Sequence, residues 1–146
     1  MTELPDCIER SVLIEAPLAH VWNLIVDPSH LARWYPGARI EPRAGAAATF
    51  DCGADDVFHG IVDRVAPPHV LAWRWCLEPG VPVDDGPTSR VEITLVSEGG
   101  ATRLNLAECG FAGWSDADRA RIMPGNAGGW VFLLDNLATI ACPATP

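Results

Sequence analysis

Few residues in this 146-residue chain could carry chemistry, and the most suggestive is Glu108, in the segment ATRLNLAECGF. Strand alternation sends Leu104 and Leu106 to one face and carries Glu108 with them, which places a carboxylate among apolar side chains. A carboxylate there is desolvated unless an Arg or a hydroxyl pairs with it, and an unpaired one is a candidate general acid or base. Arg74 and Arg90 alternate to the opposite face of their own strands, so few partners are expected. Glu108→Gln is therefore expected to leave the fold nearly intact. If the strand instead ends or bulges at Gly110, Glu108 turns to water.

A second concentration is DPSHLARWYPG, residues 27–37, where His30, Arg33, Trp34 and Tyr35 crowd between two prolines. His30 and Arg33 can be read as a polar clamp or as the solvated face of a short helix. The reading adopted is a lid whose aromatic tip, Trp34 and Tyr35, matters more than its His and Arg. His59 and Asp63 alternate together on FHGIVDRV, but Phe58 and Val62 facing inward would leave that pair outside.

Other chemistries are disfavoured by what the chain lacks. His20, His30, His59 and His69 lie on different elements with no His-x-x-x-His spacing, so no metal is expected. Ser29, Ser89, Ser97 and Ser115 have no G-x-S-x-G context, and no glycine-rich loop joins a strand to a helix, so no cofactor is expected. The sequence contains no Lys, which excludes Schiff-base chemistry and P-loops. Ten Arg stand against 19 carboxylates for a net charge of -9, and they are scattered singly, which argues against nucleic acid. The five cysteines are odd in number, widely spaced and without a C-x-x-C pair, so they read as small buried or half-buried hydrophobes. The acidic start MTELPDCIERSV does not resemble a signal peptide and no apolar run reaches membrane-spanning length, so a cytoplasmic protein that does not bind membranes is expected.

The elements that must position these residues can be read from period and punctuation. With 49% hydrophobic and 20% charged residues, the chain reads as one globular domain over residues 1–146. Residues 7–15 alternate as a strand with Ile8, Val12 and Ile14 on one face. From Pro17, set for a first helical position, Leu18, Val21, Trp22 and Ile25 follow helical spacing. Asp27 fits an N-cap with Pro28 at N1 of a second short helix. Turn signals then punctuate about seventy residues of strand, at 43–45, 52–53, 67–68, 79–80, 85–87 and 99–100. In HVLAWRWC, Leu71, Trp73 and Trp75 share one face; in SRVEITLV, Val91, Ile93 and Leu95 do so. A helix begins near Ser115 and is interrupted at Pro124-Gly125. Another then carries Trp130, Leu133, Leu134, Leu137 and Ile140 on one stripe and stops before Pro143.

The stretches APLAHVWNLIVDPSHLARWYPG, HGIVDRVAPPHVLAWRW, SRVEITLVSEGGATRLNLAECGF and GGWVFLLDNL resemble the activator of heat-shock-protein-90 ATPase homologue family of the START-like (SRPBCC) superfamily. The resemblance implies an α+β helix-grip fold, in which a curved antiparallel sheet wraps a long C-terminal helix and two short helices close a cavity. The family's aromatic after the second helix falls on Trp34, its strand pair on Trp73 and Trp75, and its Gly-Trp helix start on Gly129 and Trp130.

Together these readings predict a binding protein that encloses a small, mostly apolar molecule. The walls are expected from Trp34, Tyr35, Phe50, Leu71, Trp73 and Trp75, then Ile93, Leu106, Trp130 and Leu134, with Glu108 as polar anchor. The alternatives are a polyketide-type cyclase or dehydratase with Glu108 as acid or base, and a chaperone-regulating module with a protein partner. Oligomeric state leaves no mark in the sequence.

Overall fold

The two edges of the sheet are formed by strands that are neighbours in sequence, and this decides where the short helices go. The computed structural model describes residues 6–54 and 56–141. Its seven strands are β1 (Cys7–Ile14), β2 (Ala38–Ile40), β3 (Ala47–Asp51), β4 (Val57–Ala66), β5 (Val70–Cys76), β6 (Thr88–Glu98) and β7 (Ala101–Cys109). They form one antiparallel sheet in the order β1-β7-β6-β5-β4-β3-β2. The chain between β1 and β2 must therefore cross from one edge to the other. It does so as α1 (Leu18–Val26) and α2 (Pro28–Trp34). The helix α3 (Asp116–Ala141) lies in the grip of the sheet, which completes the helix-grip arrangement.

Alternation holds on the inner face of nearly every strand. Val91, Ile93 and Leu95 of β6, Leu104 and Leu106 of β7, and Leu71 and Trp73 of β5 are all buried to 1% exposure or less. On β1 the inward series is Ile8, Arg10, Val12 and Ile14, while Glu9, Ser11 and Leu13 are exposed. Gly60 permits one close approach, because a Cβ there would lie 2.5 Å from the Arg74 carbonyl oxygen and 3.2 Å from the Trp75 Cβ.

Asp27 caps α2 as its sequence suggests, accepting from the Ser29 amide at 3.0 Å, the Ser29 hydroxyl at 2.6 Å and the His30 amide at 3.3 Å, with Pro28 in the first turn. Pro17 is the N-cap of α1, one position earlier than expected.

Two expectations are corrected. The C-terminal helix is continuous from Asp116 to Ala141 with Pro124 inside it, not two helices. Proline removes one backbone donor, but the apolar stripe of Trp130, Leu134, Leu137 and Ala141 buries against the sheet, and that packing overrides local propensity. Cys7 and Cys109 are not separate hydrophobes but a disulfide, 102 residues apart in sequence and 4.1 Å apart at Cα. Pairing β1 with β7 brings them opposite one another, a proximity that linear spacing hides. Of the remaining cysteines, Cys76 is a buried free thiol and Cys52 an exposed one. Cys142 and Pro143 lie outside the described residues. Among the described residues no helix is long and apolar enough to cross a membrane.

Candidate functional site

Glu108 is fully buried on β7, as alternation requires, and it is densely partnered. Its Oε2 accepts from the Ser89 hydroxyl at 2.6 Å, the Asn126 amide at 2.9 Å and the Trp75 indole at 3.1 Å. Its Oε1 accepts from the Trp130 indole at 2.8 Å and from Asn126 at 3.1 Å. Trp75 also donates to Ser89 at 2.9 Å. Both oxygens are thus acceptors for side chains from β5, β6 and α3, and the burial cost of the carboxyl is offset by hydrogen bonds rather than by a cation. This corrects the expectation of a poorly partnered carboxyl. The outward placement of Arg74 and Arg90 does hold, since they pair with Asp84 and with Asp63 and Glu92.

Ser89 and Asn126 were missed as partners. Ser89 shares the inward alternation of Val91 and Ile93, so its burial was readable. Asn126 stands one turn before Trp130 on the same helix, a four-residue spacing that puts both on one face.

Around this hub lies an aromatic cluster. Phe50 stacks on Trp73 with centroids 5.6 Å apart and meets Trp75 edge-on at 4.6 Å. Trp75 and Trp130 lie 5.9 Å apart, and Tyr35 contacts Phe50 at 5.6 Å and Trp130 at 6.0 Å. Such contacts contribute about 0.5–1.5 kcal/mol each beyond area burial.

A cleft opens on one side of this cluster. Tyr35, Phe50, Phe58, Trp75, Leu77 and Ile122 form its apolar wall, with Cys52, Pro79, Arg121 and Asn126 at the margins and a volume of about 360 Å³. A smaller recess of about 90 Å³, bounded by Trp130, Leu133, Gly125 and Gly129, shares Tyr35, Trp75 and Asn126 with it. Asn126 turns its amide nitrogen to Glu108, which leaves its carbonyl oxygen as the group it can offer to a ligand. Burial pushes the Tyr35 phenol far up, with Cys52 and Glu108 adding to the effect, so the phenol stays protonated. Partial desolvation, then Asp51 and Asp56, push the Cys52 thiol up as well, the opposite of what an activated nucleophile needs.

Of the expected wall residues, Tyr35, Phe50, Trp75 and Trp130 border the cleft or its recess. Leu71, Trp73, Ile93, Leu106 and Leu134 are packed in the core instead, each 3% exposed or less. Trp34 is also core: it is 1% exposed and donates its indole N–H to the Leu24 carbonyl at 2.9 Å, tying α2 to α1. The lid expectation is corrected accordingly, because the aromatic tip splits, with Trp34 pinned inside and only Tyr35 reaching the cleft. His30 and Arg33 touch each other at 3.4 Å on the exposed side of α2. Asp63 pairs with Arg90 at 2.7 Å, so no His59–Asp63 dyad forms. Trp114 packs on Phe111 and donates to the Thr88 carbonyl. Among the described residues, one cluster has metal-ligand proximity, Asp6 with Cys7 and Cys109, and its sulfurs are committed to the disulfide.

The sequence profile of the Activator of Hsp90 ATPase homolog 1-like protein family matches residues 15–141. No curated protein matches the chain. Among solved structures, the chain is similar to DynU16, a protein of the dynemicin biosynthetic locus, at 29% identity and a TM-score of 0.76, covering 93% of this chain and 47% of DynU16. The chain thus spans about half the length of DynU16. It is similar to CalU16 from Micromonospora echinospora at 25% identity and a TM-score of 0.72, over 94% of this chain and 76% of CalU16. Protein MLL2253 from Mesorhizobium loti shares the fold, with 21% identity, a TM-score of 0.78, and coverage of 91% of this chain and 94% of that protein.

Proposed function

Because the chain belongs to the Activator of Hsp90 ATPase homolog 1-like family, we propose that it binds a small, largely apolar molecule in the cleft between α3 and the β3-β4-β5 end of the sheet. The observation that carries this reading is the composition of the wall. Aromatic and aliphatic side chains surround the Asn126 carbonyl oxygen and the Tyr35 phenol, while Cys52 and Arg121 stand at the margins and Arg121 is paired with Glu78 and Asp118. A ligand bearing one hydroxyl or amide on a flat apolar body would fit that pattern, since few polar groups orient a ligand and apolar surface retains it.

The test is a titration with hydroxylated aromatic compounds, followed by tryptophan fluorescence, because Trp75 borders the cleft and Trp130 its recess. A bound ligand at about 100 times its Kd should add roughly 2.7 kcal/mol to unfolding stability. Ile122→Trp, which fills the cleft from α3, should abolish both signals without unfolding the protein. A broad panel that leaves fluorescence and stability unchanged would overturn the reading.

A second reading is a polyketide-type cyclase or dehydratase, and what supports an enzymatic role is the similarity over 93% of this chain to DynU16, a protein of a biosynthetic locus. In that case the Tyr35 phenol is the better-placed hydrogen-bond donor to oxygen charge developing on the substrate, because Glu108 could act on a ligand only by giving up a donor it already holds. Turnover of a cyclisable substrate that falls in Tyr35→Phe while binding persists would support this reading over simple binding.

A further inference from the structure

On the other side of α3 lies a second cleft that shares no residue with the first. It is about 460 Å³ and runs between β1 and the first half of α3, with Ile8, Ala120, Met123, Pro124 and Ala127 as its apolar wall. Two guanidinium groups line it, Arg10 and Arg119.

Arg10 is unusual in this chain. It occupies an inward position of a strand, between Ile8 and Val12, where alternation calls for an apolar residue. Among the described residues no carboxylate pairs with it. Its Nη1 donates to the adjacent Glu9 carbonyl at 2.8 Å and its Nη2 to the Ala127 carbonyl at 3.3 Å, while its Nε is buried without a partner. Arg119 has a side chain only 15% exposed, and its Nε is also buried without a partner. Its one ion pair runs from Nη2 to Asp116, whose side chain is 87% exposed. The other carboxylate at the rim, Glu9, belongs to the outward series of β1. Beside the apolar wall, the Arg10 charge has no carboxylate partner among the described residues, and both guanidinium groups hold a buried Nε–H with no acceptor.

We propose that this second cleft binds an amphipathic organic anion, with a carboxylate at the Arg10 guanidinium, Arg119 as a second donor, and an acyl tail along Ile8, Met123 and Ala127. Arg is suited to the role because its planar fork matches a carboxylate and stays charged at any working pH. The site is independent of the Tyr35 cleft, since α3 separates the two and each has its own lining.

The experiment compares decanoate with decanol, which share a tail and differ in charge, by isothermal titration calorimetry on the intact protein. Decanoate should bind at one site, more weakly at high salt, and at least tenfold more tightly than decanol, in keeping with a charged hydrogen bond. Arg10→Gln should weaken decanoate by roughly tenfold or more and leave decanol unchanged. Tyr35→Leu, in the other cleft, should leave decanoate binding intact. Arg119→Gln and Met123→Trp provide independent checks from α3 if Arg10→Gln does not fold. Equal affinity for acid and alcohol would overturn the proposal, as would decanoate binding that survives Arg119→Gln and Met123→Trp, or that is lost in Tyr35→Leu.

Discussion

Glu108 is held by donors alone, and that fixes what its variants do. In Glu108→Gln one oxygen becomes an NH₂ group, so a donor faces the Trp130 indole or the Ser89 hydroxyl. The expected loss is about 1–3 kcal/mol of stability, read by urea denaturation. Trp34→Ala should cost about 3–5 kcal/mol, because the indole is buried and its N–H is committed to Leu24. At Asp27 the hydrogen bond from the Ser29 hydroxyl, followed by that from the His30 amide, holds the carboxyl below its ordinary value of 3.8. A depressed folded-state value contributes stability above that pH and loses it as pH falls through the lower folded value. Asp27→Asn keeps an acceptor for the cap, so its melting temperature should trail the parent at neutral pH and converge with it in acid. At this scale the inward position of Glu108 and the cap at Asp27 were legible, since each follows from local period and spacing. The hydrogen-bond partners of Glu108 were not. They come from three elements, and a single sequence does not say which face of α3 will meet which strand.

Among the elements, α3 carries the largest departure from local propensity. Pro124, Gly125, Gly128 and Gly129 fall within six residues near its middle, and the helix persists through them. Pro124 is exposed and cannot donate to the Ala120 carbonyl, so Pro124→Ala should stabilise the protein by about 1–3 kcal/mol. A Cβ at Gly128 would meet nothing within 4 Å, and Gly128→Ala should add about 0.5–1 kcal/mol. Both are measurable by chemical denaturation, and hydrogen exchange should slow in the same turns. This stretch borders both clefts, so stiffening it should also slow ligand entry. The sequence signalled a break here, and the signal was locally correct. What outweighs it is the apolar stripe from Trp130 to Ala141, whose burial depends on the sheet.

For the whole molecule, the antiparallel sheet and the grip on α3 were legible because alternation is a strict period and turn residues mark the strand ends. The pairing of β1 with β7 was not, because it joins segments about a hundred residues apart. The disulfide was missed for the same reason. Closing a loop of that length stabilises by roughly 2–5 kcal/mol, so reduction, or Cys7→Ser with Cys109→Ser, should lower stability by that amount in urea. The oxidised and reduced proteins should keep the same fold, since the β1–β7 ladder pairs all of β1 with Thr102–Cys109 of β7.

The Cys7–Cys109 bond also changes the covalent topology of the chain. Everything from β1 to β7 lies inside one macrocycle, with α3 as a tail leaving it beyond Cys109. The exposed loop between β5 and β6 is a natural place for a protease to cut. A single cut there would linearise the ring without releasing a fragment. The nicked protein would run as one species under non-reducing conditions and as two after reduction, and both clefts would remain on the same covalently joined body.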